Sequence, residues 1–386
     1  MLTRNNPARL FLKGAVTALA MLGLVSCVET GPTISTSDPV PVALLVPSGS
    51  SDSGDAVIAQ SLENAARLAI ADLEGVKIDL RVYSTAGNAA TAQAAAVKAV
   101  DEGAKIILGP LHGEAANAAG KAVAGRGINV LSFSNNTGIA GGNVFVLGAT
   151  FDNTANRLVR FAVSQGKQRI LVAHASNVSG QAGSAAINNA IAGTSASNAG
   201  TVSYEFSQQG VVNAVSAIKA TAEQNQADSI FLTSSTSGAL PLISQLLPES
   251  GLTADKVQYI GLTRWDIPSQ TLALPGVQGG WFARPDSALT QQFQTRYAQA
   301  YGGLPHALGG LAYDGVAAIG ALVKAGKSNA LTTSALTQGA GFQGVNGIFR
   351  LRADGSNERG LAVVTIRDKQ VVTIDPAPKS FSGGGF

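Results

Sequence analysis

The constraint that narrows the fold most is a repeated alternation of short, β-branched apolar runs with helix-period segments. VPVALLVP at 40–47 is an unbroken apolar run and predicts a buried strand. The helix predicted over 55–73 carries Ile58, Leu62, Ala65, Ala66, Ala69 and Leu73 on one face. Strands follow at 77–84, 105–109 and 129–133, separated by helices at 88–101 and 113–124. A second series has helices at 153–165, 181–192, 212–224 and 238–247, with strands at 169–174, 201–206, 229–233 and 257–262. Helices of this length between strands imply parallel pairing through right-handed crossovers, with both sheet faces covered. The expected class is α/β, with two similar doubly wound lobes. The rhythm breaks at 344, where turns at Asp354-Gly355 and Asp368-Lys369 predict a C-terminal antiparallel meander.

The amino terminus precedes this pattern. Arg4, Arg9 and Lys13 lead into an uncharged apolar stretch, Gly14 to Val25, too short for the about 20 residues a membrane span requires. Leu24-Val25-Ser26-Cys27 resembles the bacterial lipobox, which implies cleavage before Cys27 and lipidation of its thiol. Cys27 is the chain's one cysteine, so an intrachain disulfide is excluded. Several acyl chains would hold it stably, at ~0.8 kcal/mol per buried CH₂. Residues 28–39, rich in Ser, Thr, Pro and Gly, are expected to be a tether. Val28 after the cysteine points to sorting to the inner leaflet of the outer membrane, facing the periplasm.

Removing residues 1–26 takes away three basic side chains and no acid, leaving 24 of each sign. A neutral mature chain offers no electrostatic footprint for nucleic acid. Only 13% of residues are charged and 45 are glycine, which suits close helix-to-sheet packing. His112, His174 and His306 have no metal-ligand spacing, and HExxH, CxxC and GxSxG are absent. GKS at 326–328 lacks the first phosphate-loop glycine, since residue 321 is Ala. No cofactor or metal is expected, and the chain is read as non-catalytic.

In open parallel sheets, ligands lie beyond the carboxyl ends of the strands. Those ends nominate Ser48, Ser50, Ser51, His112, Gly113, Ser134, Asn135 and Asn136 in the first lobe. The second lobe contributes Ser176, Ser234, Ser235, Arg264 and Trp265. Hydroxyls, amides and helix N-termini there suit a small polar ligand. Ser, Asn and Gly after a strand are also common caps and turn formers, His112 fits a plain loop position as well, and Trp265 and Trp281 fit core packing as well as a cleft wall.

KIILGPLHGEAANA at 105–118, INVLSFSNN at 128–136, LAYDGVAAI at 311–319 and GVNGIFRLRADGSNERGLAVV at 344–364 together resemble the type I periplasmic binding proteins, the fold of branched-chain amino acid receptors. The resemblance implies three chain crossings between lobes and helices at 287–300 and 306–324 returning to the first. It gives a signal at 1–26, a lipidated tether at 27–39, and a first lobe from 40–150 plus 287–326. The second lobe is 151–286 plus 327–376, and 377–386 is a disordered tail. Asp314 is expected to be structural and close to the hinge. GPL followed by LSFSNN, with YIGLTRWD and GVQGGWFARPD at 259–286, is similar to lipoprotein activators of penicillin-binding proteins. That implies a peptidoglycan synthase as partner and membrane attachment through the lipid alone. The alternative is an ABC-transporter receptor for amino acids or similar ligands, with an ABC permease as partner. Amino-acid receptors of this fold typically carry a Ser/Thr pair where this chain has Leu-His-Gly-Glu, and no acidic partner for an ammonium is evident.

Overall fold

The computed structural model describes residues 31–35 and 37–381. The signal sequence, Cys27 and the end of the tail lie outside them. The first lobe runs β1 (Val40–Val46), α1 (Ser53–Ala71), β2 (Ile78–Ser84), α2 (Ala89–Asp101), β3 (Ile106–Leu108), α3 (Gly113–Val123), β4 (Val130–Ser132) and β5 (Val144–Val146). Its sheet is parallel, in the order β2-β1-β3-β4-β5.

The second lobe runs α4 (Phe151–Ser164), β6 (Arg169–Ala175), α5 (Val178–Ala192), β7 (Ser197–Tyr204), α6 (Gln208–Gln224), β8 (Ser229–Leu232), α7 (Leu240–Glu249), β9 (Gln258–Gly261) and β10 (Trp281–Arg284). The parallel order β7-β6-β8-β9-β10 repeats that of the first lobe. Helices α8 (Ser287–Tyr301) and α9 (Gly309–Lys324) follow, then β11 (Phe342–Gly344), β12 (Gly347–Leu351) and β13 (Asn357–Arg359) form a small antiparallel sheet. Strands β14 (Ala362–Arg367) and β15 (Gln370–Asp375) extend the second lobe's sheet antiparallel beside β10.

Period-2 alternation in β1 divides the first core. Val42, Leu44 and Val46 pack with α1 and α9, whereas Ala43 and Leu45 pack with α2 and α3. The buried faces of α2 and α3 are alanine and glycine, with Val123 the sole larger side chain. In the second lobe Leu171 and Ala173 of β6 face α6 and α7, and Ile170 and Val172 face α4 and α5.

Three expected boundaries are corrected. Residues 327–351 pack on the first lobe, because Ala330, Leu331, Leu336, Phe342, Val345, Phe349 and Leu351 complete its core. The predicted meander is therefore two hairpins in two sheets. The tether reading fails at Ile34, which is buried in the same core and donates its N–H to the Ser328 carbonyl at 2.9 Å. The tail begins later than expected: Ala377 is buried, and the Arg350 guanidinium lies 4.5 Å from the Phe381 ring centre.

The chain passes between lobes at 147–150, 285–286 and 360–361. The first two passages leave the carboxyl ends of β5 and β10, and the third enters β14 opposite Arg284. At roughly 3.5 Å per residue, links this short hold the carboxyl ends of the two sheets towards each other.

A buried polar network fixes two of these links. Asp314 on α9 and Arg359 on β13 pair at 3.0 Å, with side chains 0% and 3% exposed. Arg359 also donates Nε–H to the Leu147 carbonyl at 3.1 Å and lies over the Phe349 ring. Asp314 accepts the Val345 N–H at 2.8 Å. Burial pushes the Asp314 carboxyl up from the usual range, against the opposing pull of Arg359. Asn357 donates to the carbonyls of Val146 and Gly148, and accepts from Asn153 on α4.

Removing one member strands a buried charge. Asp314→Ala or Arg359→Ala is expected to cost about 3–5 kcal/mol in urea unfolding. The joint replacement Asp314→Leu with Arg359→Met should cost less than either alanine.

Candidate ligand-binding cleft

Six helices open on a side chain that accepts a first-turn N–H: Asp52, Asn88, Thr150, Asn177, Ser207 and Asp286. Helix α3 does not. His112 stands in its cap position but makes no such bond. Its Nε2 instead meets Asp55 Oδ2 at 2.9 Å. Asp55 is an acceptor, so the hydrogen of this bond is assigned to Nε2. The Asp55 side chain is 6% exposed and that of His112 is 42% exposed. Gly87 closes over this pair. It has φ +68°, and a Cβ there would lie 2.9 Å from Ser50 Oγ and 3.0 Å from Asp55 Oδ2.

The pair occupies a particular place. Helices α1 and α3 leave the adjacent strands β1 and β3 to opposite sheet faces, so the crevice between them is the topological switch point. The matching point of the second lobe lies between β6 and β8. There Ser176 is exposed, and Ser234 is buried with its hydroxyl 3.4 Å from that of Tyr204. Burial raises the Tyr204 pKa.

Most other nominated residues also meet at the strand ends. The Ser48 carbonyl accepts the Ala86 N–H at 3.1 Å, and the Ser50 hydroxyl accepts the Asp52 N–H at 3.1 Å. Ser51 is exposed. Gly113 sits beside Ser134 and Asn136. Ser134 is buried and accepts the Asn136 N–H, Asn135 is exposed, and Asn136 accepts the Gly138 N–H. The Ser235 carbonyl accepts the Gly238 and Leu240 N–H groups. Arg264 forms a two-pronged pair with Asp266, both contacts at 2.6 Å, and Arg284 approaches the same carboxylate at 3.4 Å.

Trp265 is the correction. It is 0% exposed, seated between Gly261 and Gly280 beside Phe282 in the core, so it has no cleft surface. Its Nε1 has no hydrogen-bond partner. Sequence reasoning passed over Asp55, Asp266 and Arg284. Asp55 did carry a signal: it continues the buried stripe Ala59, Leu62, Ala66 and Ala69 of α1, where an acid requires a partner.

Three apolar side chains near the second-lobe strand ends face solvent: Val178 at 85%, Phe206 at 58% and Ile267 at 52% exposed. Among the described residues, no hydrogen bond or ion pair joins the nominated loops of one lobe to those of the other. A separate groove of about 1070 Å³ lies on the first lobe among α1, α8 and α9, and one of about 370 Å³ lies behind the hinge. No group of three or more His, Cys, Asp or Glu side chains among the described residues converges as a metal site. No described helix is long and apolar enough to cross a membrane.

Residues 39–370 match the sequence profile of the family described as periplasmic binding protein. The chain belongs to the periplasmic binding protein family. Solved structures share its fold. A putative branched-chain amino acid ABC transporter protein from Rhodospirillum rubrum has a TM-score of 0.75 at 17% identity, over 87% of this chain and 100% of that one. A substrate-binding protein from Desulfitobacterium hafniense in complex with Leu has a TM-score of 0.62 at 16% identity, over 87% and 100%. A solute-binding protein from Rhodopseudomonas palustris in complex with 3,4-dihydroxybenzoic acid has a TM-score of 0.59 at 15% identity, over 88% and 98%. No curated protein sequence matches the chain significantly. In this periplasmic binding protein the type I architecture holds in both lobes, and Trp265 serves the fold. Trp265→Ala is expected to cost about 3–5 kcal/mol of unfolding free energy. Trp265→Phe should lose less than half as much, since it also removes a buried N–H without an acceptor.

Proposed function

We propose that the protein is the solute receptor of an ABC importer, closing on a small polar ligand and presenting it to a permease. The observation that carries this is the pair of sheets with one strand order, their carboxyl ends held towards each other by three short links. Such an arrangement has a hinge and two recognition faces. The structural relatives that are ABC-transporter proteins support this reading over the synthase activator expected from the sequence. The two solved with Leu and 3,4-dihydroxybenzoic acid support a ligand bearing a carboxylate. Binding and presentation without chemical change is the role of the fold here.

Lipidation at Cys27 remains part of the proposal, as does a periplasm-facing position. A receptor that serves a permease works at the inner membrane, so this reading favours anchorage there over the outer membrane. Ile34, buried in the first core, lies seven positions after Cys27, a reach of at most ~25 Å. The anchor would therefore hold the first lobe close to its membrane.

A thermal-shift screen of the purified protein against amino acids, organic acids, sugars and short peptides tests the reading. A ligand at 1,000 times its dissociation constant adds ~4 kcal/mol, and a clear rise in melting temperature is expected from one class. No rise in any class, together with capture of a penicillin-binding protein, would favour the activator instead.

A further inference from the structure

We infer that the cleft selects a small carboxylate with an apolar body and no ammonium group. The inference deepens the receptor reading and rests on it. An amino acid brings two opposite charges out of water, and each needs a partner of opposite sign. The two buried acids at the strand ends are already engaged. Asp55 holds His112, and Asp266 takes Arg264 on both oxygens with Arg284 beside it. Their side chains are only 6% and 8% exposed, so recruiting either for an ammonium means stripping it of a cation or of its imidazole.

The remaining acids near the strand ends are placed differently. Asp52 and Asp286 cap their own helices. Glu114 lines the outer groove between α2 and α3, with Gln93 and Lys121. Glu205, exposed after β7, has its Cβ turned to the first turn of α6, 2.8 Å from where a Cβ on Gly210 would be.

Donors, by contrast, are in surplus. Two guanidinium groups face one carboxylate at Asp266, leaving one positive charge over. Arg264 spends Nε and Nη2 on Asp266 and has N–H groups to spare; its side chain is 38% exposed. These groups stand at the carboxyl ends of β9 and β10.

The apolar part of the ligand has a place beside them. The Phe206 ring lies within 3.3 Å of where a Cβ on Gly238 would be, against the 235–238 loop. The Thr236 hydroxyl donates to the Ile267 carbonyl at 2.6 Å. The loops after β7, β8 and β9 are thus one lip, which carries exposed Phe206 and Ile267 and, three positions before Ile267, Arg264. A guanidinium on the same lip as an exposed aromatic and an aliphatic side chain suits an aliphatic or aromatic monocarboxylate.

Calorimetric titration with matched pairs tests this: 4-methylpentanoate against leucine, and 3-phenylpropanoate against phenylalanine, with sugars and short peptides alongside. The desamino acid of at least one pair should bind ten-fold or more tightly than its amino acid. Arg264→Gln should weaken it ten-fold or more, and Phe206→Ala should weaken it without a change in the unliganded melting temperature. Equal or tighter binding of the amino acid overturns the inference, as does binding of a sugar or peptide alone, and in both cases the receptor reading stands. Binding of nothing in the panel overturns both. Undiminished affinity in a folded Arg264→Gln variant overturns the assignment of the carboxylate to that group.

Discussion

A carboxylate and a guanidinium sealed from water at the meeting of the two lobes constrain much else in this molecule. Asp314 belongs to α9 of the first lobe, and Arg359 to the strand from which the chain departs for the second. Neither can leave the other without an unpaired charge in a low-dielectric interior. The further donors and acceptors on Leu147, Asn153 and Asn357 are satisfied only when 146–148 and 357–359 lie side by side. Two of the three links are thereby welded at their first-lobe end. Because Asn153 of α4 also bonds Asn357 and the Arg359 N–H, a closing motion must either carry the first turn of α4 with the first lobe or give up those two bonds.

The lobes themselves follow from a different economy. A parallel sheet must be covered on both faces, and the first lobe does so largely with small residues. The alanine and glycine faces of α2 and α3 let helices lie close to the sheet, while β1 divides its side chains between two cores by simple alternation. The second lobe reaches the same strand order with larger side chains, such as Phe231, Tyr259 and Trp265. Equivalent topology without a visible sequence repeat is what a fold dictated by strand-helix order permits, since the crossovers fix handedness and neighbours regardless of which apolar residue fills each place.

That order is why so much of the architecture was legible. Apolar runs bounded by turn residues located most of the parallel strands and the helices between them. Strands β5 and β10 were not legible. Val144–Val146 is only three residues long between glycine-rich turns, and Trp281–Arg284 follows two glycines and ends on a charge. The two C-terminal hairpins look alike locally, and only the crossing at 360–361 sends them to different sheets. The loops at the strand ends could be read because topology places them, whichever residues they contain. Pairings between distant residues could not. Asp55 and His112 are 57 positions apart, and neighbours such as Arg264 and Trp265 point in opposite directions, one towards solvent and one into the core.

The His112–Asp55 pair makes the two lobes unequal. In the first, the switch-point crevice between β1 and β3 is bridged by an imidazole on a buried carboxylate, with the Gly87 backbone pressed against the acid. In the second, the corresponding crevice between β6 and β8 carries the Ser234 and Tyr204 hydroxyls. A ligand entering the first crevice must therefore meet the exposed edge of His112, because Asp55 beneath it is already spent. Charge is available on the opposite side, where Arg264 and Arg284 outnumber Asp266. Recognition of an anion in this cleft accordingly falls more heavily on the second lobe. The first contributes a hydrogen-bonding wall whose acid is engaged by its own histidine.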